Sequence, residues 1–232
     1  MRQQTLLYLP TNSNPFQVND CVFFGDYLLY NSKRYEYDDI VSIKQYSSYS
    51  QTGVISESKI FLKVYLNVTS GSNFPIDERE NNNALDLSVS NWFVFGSSRK
   101  VREKVEFASY FLKQVTFDSR LLKYVRQIRS DNFFHYPNGN KIFNNGDIHK
   151  NGKAIGNILE AKKNNALVYG DLYFESITGL SRYHDPYVLQ IYPQNSSYKG
   201  MFSKRFEIYI HHDKDVIDLF IKNLISSGQM FL

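Results

Sequence analysis

Between Val18 and Leu66 the apolar residues come in short runs or alternate with polar ones: Val22-Phe23-Phe24, Tyr27-Leu28-Leu29-Tyr30, Ile40-Val41-Ser42-Ile43, and Ile60 to Leu66. A period of two places one set of side chains on a single sheet face. Gly25, Asn31-Ser32 and the Ser/Tyr-rich stretch 46–53 punctuate the runs, so the pattern predicts successive antiparallel strands joined by turns. Residues 69–83 carry almost no apolar side chains and read as a long exposed loop. After a strand pair around Leu85–Val89 and Trp92–Phe95 the period becomes helical. Val101, Val105, Ala108, Leu112 and Val115 fall on one stripe, with Ser97-Ser98 as the cap. A second helix is expected from Asp118 to about Ser130, with Leu121, Leu122, Val125 and Ile128 on its buried face.

The strand pattern then resumes. Lys141–Phe143, Asp147–Lys150, Lys153–Leu159, Ala166–Phe174, Tyr187–Tyr192 and Arg205–Ile210 read as strands. Asn138-Gly139, Asn145-Gly146 and Asn151-Gly152 supply turns, because Asn and Gly accept positive φ. A last helix is expected over Asp213–Ser227, with Val216, Ile217, Phe220, Ile221, Leu224 and Ile225 on its apolar face and Gly228 as its stop.

These two stretches echo one another. Gly25-Asp26, Asn31-Ser32-Lys33 and Ile40-Val41-Ser42-Ile43-Lys44 correspond to Gly146-Asp147, Asn151-Gly152-Lys153 and Ile158-Leu159-Glu160-Ala161-Lys162, and each series ends in an amphipathic helix. The offset drifts slowly along the chain, as expected of a duplicated unit with small loop deletions.

Composition agrees with sheet. Tyr and Phe, 18 of each among 232 residues, suit half-buried pleated surfaces. The single cysteine, Cys21, lies in an apolar run and reads as a buried structural thiol in a reducing compartment. No apolar segment is long enough to span a bilayer and the first residues lack a signal-peptide pattern, so a cytoplasmic location is expected.

Short antiparallel strands closed by one amphipathic helix, twice over, resemble a tandem of pleckstrin-homology-like domains. The passages Asp26–Lys44 and Asp147–Lys162 and the helices 98–115 and 213–227 carry the resemblance. So does the acidic turn leading into a strand at Tyr35-Glu36-Tyr37-Asp38-Asp39-Ile40-Val41, familiar in bacterial members of that fold. The second copy lacks the acidic pair at Ala154-Ile155-Gly156-Asn157, so the copies differ where a shared ligand site would lie. The resemblance implies an α+β protein of two β-rich modules, each a bent antiparallel sheet or partly open barrel capped by a C-terminal helix. Module one would span 1–116, a basic helical linker 117–131 and module two 132–232. It also implies a bacterial or phage origin and binding, not catalysis, as the work of the fold.

Charge changes the picture mainly between residues 97 and 129, where nine Lys/Arg meet three Asp/Glu although the whole chain is only +4. Arg120, Lys123, Arg126 and Arg129 recur at threes on the second helix and read as a basic face for an acidic surface. Tyr46, Tyr49 and Trp92 are the candidate aromatic anchors. The expected partner is a protein. Anionic lipid headgroups are the alternative ligand, and nucleic acid ranks below both, because no helix-turn-helix, zinc-finger or RNA-binding signature accompanies the charge.

Catalytic chemistry finds little footing. His211-His212-Asp213 lacks a third ligand at metal spacing. The glycines of 146–156 sit at hairpin turns and lack the Lys-Ser/Thr ending of a phosphate-binding loop. No serine occupies a nucleophile elbow beside His184-Asp185. No cofactor or metal is implied, and a hydrolase or nuclease assembled from scattered His and Asp residues is the third reading. A non-enzymatic adaptor is the first.

Overall fold

A computed structural model describes residues 9–52, 55–66, 84–93, 99–175, 182–192 and 205–230, without the side chains of 48–52, 55–59, 90–93, 99–101, 171–175 and 182–187. It is an α+β fold of four antiparallel sheets closed by a C-terminal helix. In the first half, β1 (Phe16–Val18), β2 (Cys21–Phe23), β3 (Tyr27–Tyr30) and β4 (Lys33–Glu36) form a meander in sequence order. Asn31 and Ser32 turn β3 into β4 with φ of 49° and 65°, the paired left-handed geometry whose twist matches the strands it joins. A single 3-10 turn, Tyr37–Asp39, leads into β5 (Ile40–Thr52). β5 pairs with β6 (Ile55–Leu66), and β6 is flanked on its other edge by β7 (Ala84–Asp86) and β8 (Val89–Phe93). Helix α1 (Arg99–Val115) then lays Val105, Ala108, Phe111 and Leu112 onto Phe23, Leu28, Ile43, Leu62, Val64 and Leu87 in one buried cluster.

Helix α2 (Phe117–Asp131) opens the second half, and Asn132, at φ 63°, ends it. β9 (Phe133–Tyr136), β10 (Asn140–Phe143), β11 (Asp147–Lys150) and β12 (Lys153–Asn157) form a second meander. Its hairpins turn at Asn138-Gly139 and Asn151-Gly152, all four residues left-handed. Glycine is favoured at 139 by its φ of 72°, and a Cβ there would also force the Asn151 side chain to move. A short helix α3 (Ile158–Lys163) follows, then the sheet β13 (Leu167–Glu175), β14 (Arg182–Ile191) and β15 (Phe206–Tyr209), and helix α4 (Lys214–Ser227) with Gly228 at φ 81° as its stop. Val216, Ile217, Phe220, Ile221 and Leu224 of α4 pack with Phe134, Ile142, Ile148, Leu189 and Ile208 in a second cluster. Each such side chain taken out of water stabilises the fold by about 1.5–3 kcal/mol.

Both halves therefore run meander, short helical turn, second antiparallel sheet, amphipathic helix. The correspondence fails at one place the sequence had equated. Ile40–Lys44 is strand, whereas Ile158–Lys163 is helix. The Asn157 side chain accepts from the backbone N–H groups of Leu159 and Glu160 at 2.8 and 3.0 Å, an N-cap that converts the expected end of strand 153–159 into a helical turn.

Other departures have similarly local causes. The Ser/Tyr-rich stretch is strand through Thr52, not a separator, since Ser, Thr and Tyr fit a pleated surface when paired across to β6. Helix α2 starts one residue before Asp118, and Thr116 turns its hydroxyl back to the Leu112 carbonyl at 2.7 Å instead of capping α2. The expected loop 69–83 and the cap at Ser97-Ser98 lie outside the described residues. Helix α2 is part of the second core, with Tyr124 and Ile128 buried there.

The two cores meet along β5. Its outer edge, left free by β6, takes residues 211–213: the Gln45 N–H donates to the His211 carbonyl and the Asp213 N–H to the Ile43 carbonyl, each at 2.9 Å.

Candidate functional site

Helix α2 faces two ways. Its inner side carries Arg120, fully buried, among polar groups from both halves. The Arg120 guanidinium satisfies its donors on every side. Nε donates to the Thr116 hydroxyl at 2.9 Å; Nη1 donates to Asp213 Oδ1 at 3.2 Å and Asp215 Oδ1 at 2.8 Å; Nη2 donates to Asp215 Oδ2 at 2.7 Å and the Lys113 carbonyl at 3.1 Å. A planar fork of five donors suits this arrangement, which an ammonium could not match.

Asp213 is held at φ 45° ahead of α4 and is completely buried. Its Oδ1 also accepts from the Ile43 N–H at 2.9 Å, and its Oδ2 accepts from the Tyr124 hydroxyl at 2.8 Å. Thus one carboxylate binds α2, α4 and β5 together. Burial opposes the charge on Arg120, but its bonds to Asp215 and the charges of Asp213 and Asp215 outweigh that and raise its pKa. Burial likewise works against the Asp215 carboxylate, and Arg120 overcomes it, holding its pKa below the ordinary value.

Around this pair the remaining polar side chains are also matched. The Lys123 ammonium donates to the Val41 carbonyl at 2.8 Å, and burial pulls its pKa down to about 8. Lys113 and Ser109 both donate to the Gln45 side-chain oxygen. His212 Nδ1 lies 3.3 Å from the Ser42 hydroxyl, both residues being buried. With no open face for a reacting carbonyl, this Ser–His contact is part of the packing.

The expected basic face therefore divides. Arg120 and Lys123, predicted to meet an acidic partner, are instead spent on the junction between the two cores. The hydrophobic stripe is rotated correspondingly: Leu122, expected inside, is 51 % exposed, while Arg120 is inside. This orientation sets Arg120 against the buried carboxylate of Asp213 and the partly buried one of Asp215, 93 and 95 residues away in the chain. Arg126 and Arg129 remain on the solvent side, and neither forms a hydrogen bond or ion pair with a described residue. Beyond them on α1, Arg102 is paired with Glu106 at 2.9 Å.

The aromatic candidates divide too. Tyr46 stacks on Phe61 of β6 with ring centroids 4.2 Å apart and on His211 of the segment before α4 at 4.5 Å, so its faces are occupied within the fold. Tyr49 and Trp92 belong to β5 and β8, and their side chains lie outside the described residues, as does that of His184. Cys21 is completely buried, and burial pushes its thiol pKa up to about 12. Among the described residues no group of three or more His, Cys, Asp or Glu could hold a metal ion, and no helix is long and apolar enough to cross a membrane.

The sequence reading missed Asp213 and Asp215 as partners of Arg120. Their only signal was two carboxylates at the start of the last helix, which helix-dipole reasoning explains without a distant arginine. It also missed β9, and with it the outward row Phe133, Phe143 and His149, whose alignment across three strands no spacing within one strand reveals. Comparison of the chain with family models, curated proteins and solved structures finds no match.

Proposed function

We propose that the chain is a non-enzymatic adaptor made of two pleckstrin-homology-like modules held in a fixed relation, which engages an acidic protein partner through the solvent side of α2. The element order supports the modular part of this reading, since each half is a four-stranded meander, a second antiparallel sheet and a closing helix. The observation that carries the functional part is the stripe Leu122, Arg126, Arg129. An apolar side chain 51 % exposed stands one turn before two arginines free of described partners. Arginine is enriched at the cores of protein interfaces, and an exposed apolar side chain beside it adds area that a partner can cover.

Capture from a lysate of the native host, analysed by mass spectrometry, tests this reading when the wild-type chain is compared with the Arg126→Glu/Arg129→Glu variant. The partner should be retained by the first and lost by the second. Identical sets of captured proteins would remove α2 as the contact surface.

A further inference from the structure

The β9–β12 sheet has a dry face and an outer face. Phe134, Tyr136, Ile142 and Ile148 are buried in the second core, and the alternate residues Phe133, His135, Lys141, Phe143 and His149 are half-buried and point the other way. Register brings these five together: Phe133 is opposite Phe143, and Lys141 is opposite both His135 and His149. The Phe133 and Phe143 ring centroids are 4.9 Å apart, and those of Phe143 and His149 are 4.6 Å apart. The Lys141 ammonium sits 4.4 Å from the centre of the Phe133 ring. Among the described residues, neither phenylalanine belongs to a buried cluster or packs against one. A fold stabilised from within has no need of two phenylalanines on this side, and their cost in water is recovered when a partner covers them.

Charge narrows the choice of partner. From Arg126 to Asn157 the chain carries five Lys/Arg and two Asp/Glu. One of the acids, Asp147, is already engaged by the side-chain amides of Asn145 and Asn157, each at 2.8 Å. Gln127 of α2 accepts from the His135 N–H at 3.1 Å, which brings the helix alongside this sheet. Ring orientation separates the two classes of polyanion. The interplanar angles are 49° and 50°, and Lys141 already lies over Phe133. Bases stack on flat, open ring faces, which rings inclined at 49° and 50° to one another, with an ammonium over one of them, do not offer.

We propose that the outer face of β9–β12 seats an aromatic side chain from an acidic protein segment, its ring against Phe133, Phe143 and His149 and its carboxylates against Lys141 and the neighbouring cations. This rests on the adaptor reading and specifies the chemistry of the partner.

The test uses the full chain and three fluorescein-labelled probes, read by fluorescence anisotropy at about 150 mM salt, where long-range attraction is screened. The probes are an acidic heptapeptide with a central tryptophan, the same peptide with alanine in its place, and a short oligothymidylate. The tryptophan peptide should bind at least about tenfold more tightly than the alanine peptide. Phe143→Ala and Lys141→Glu should each weaken it by a similar factor with unchanged circular dichroism; the lysine variant serves if the phenylalanine variant misfolds. Equal binding of the two peptides, tighter binding of the oligothymidylate, or no peptide binding up to about 1 mM would overturn the inference. Unchanged peptide affinity in both variants, beside partner loss in Arg126→Glu/Arg129→Glu, would overturn it while leaving the adaptor reading intact.

Discussion

Arg120 and Asp213 meet 3.2 Å apart with both side chains wholly out of solvent, 93 residues apart in the chain. All of their polar side-chain atoms are hydrogen-bonded, and the pair connects the start of the last helix to α2 and to the edge of β5. Such a pair does not by itself imply great stability, because desolvation offsets much of the attraction. What it does imply is a large penalty for breaking one side only.

Arg120→Met should therefore destabilise the chain by about 3–5 kcal/mol, because Asp213 would be left buried without its cation. Urea denaturation followed by circular dichroism measures this. A loss below about 1 kcal/mol would mean that the junction is reached by solvent and that the pair is not desolvated.

Helix α2 should respond to substitution according to the faces described above and not its hydrophobic pattern. Leu122→Gln should change stability by no more than about 0.5 kcal/mol, whereas Ile128→Ala should cost about 2–5 kcal/mol. Reversal of that order in thermal or chemical denaturation would contradict the rotation of the helix.

Alkaline pH separates two buried groups of opposite sign. Lys123 titrates at about 8 in the folded chain against an ordinary 10.5. Between those values the folded state binds fewer protons than the unfolded state, so this group's contribution to stability grows as pH rises through the window and is flat below it. Cys21 acts the other way: its folded pKa of about 12 exceeds the ordinary 9.0, so the stability it contributes is lost as pH climbs above that ordinary value. Comparing wild type with Lys123→Met cancels the Cys21 effect. The wild type should gain on the variant by up to about 1.4 kcal/mol per pH unit between the two lysine values. Parallel stability curves would show that the amine titrates as if in water.

Asn157 caps α3 and also donates from its amide to the Asn145 carbonyl at 3.1 Å and to Asp147 at 2.8 Å. Asn157→Ala should cost about 0.5–2 kcal/mol, the usual range for a lost N-cap. Asn157→Asp keeps the accepting oxygen but places a second carboxylate against Asp147, so at neutral pH its denaturation midpoint should also lie below that of the wild type. A midpoint equal to the wild type's in either variant would show that the cap and the amide bonds contribute nothing to stability.

Local chemistry made much of this fold legible in advance. Asn138-Gly139 and Asn151-Gly152 turn with both residues at positive φ as expected, whereas at Asn145-Gly146 only the glycine does, and Val105, Ala108 and Leu112 are buried as their spacing predicted. Leu122 and Val115 were misread because helical periodicity counts apolar residues without knowing which charged residue has a buried partner. Arg120 shows the difficulty most plainly: its carboxylates are close in space only after the last helix has docked. The Ile158 segment failed for a shorter-range reason, as one asparagine side chain outweighed the β-branched start of the run. Of the candidate site, Arg126 and Arg129 keep the exposure expected of them, and the charge count alone could not separate them from Arg120 and Lys123.

The pairing of β5 with residues 211–213 also orders events in time. Ile43 and Asp213 are 170 residues apart, and contacts of such separation close a long loop before they return any stabilisation. During synthesis the first core can condense while its β5 edge still has no partner, and that edge stays open until the ribosome has delivered the strand-like segment before α4. For that interval the nascent chain presents hydrogen-bonding groups to any other extended peptide nearby. Slowing translation after residue 192 should therefore raise aggregation more than slowing it before residue 40.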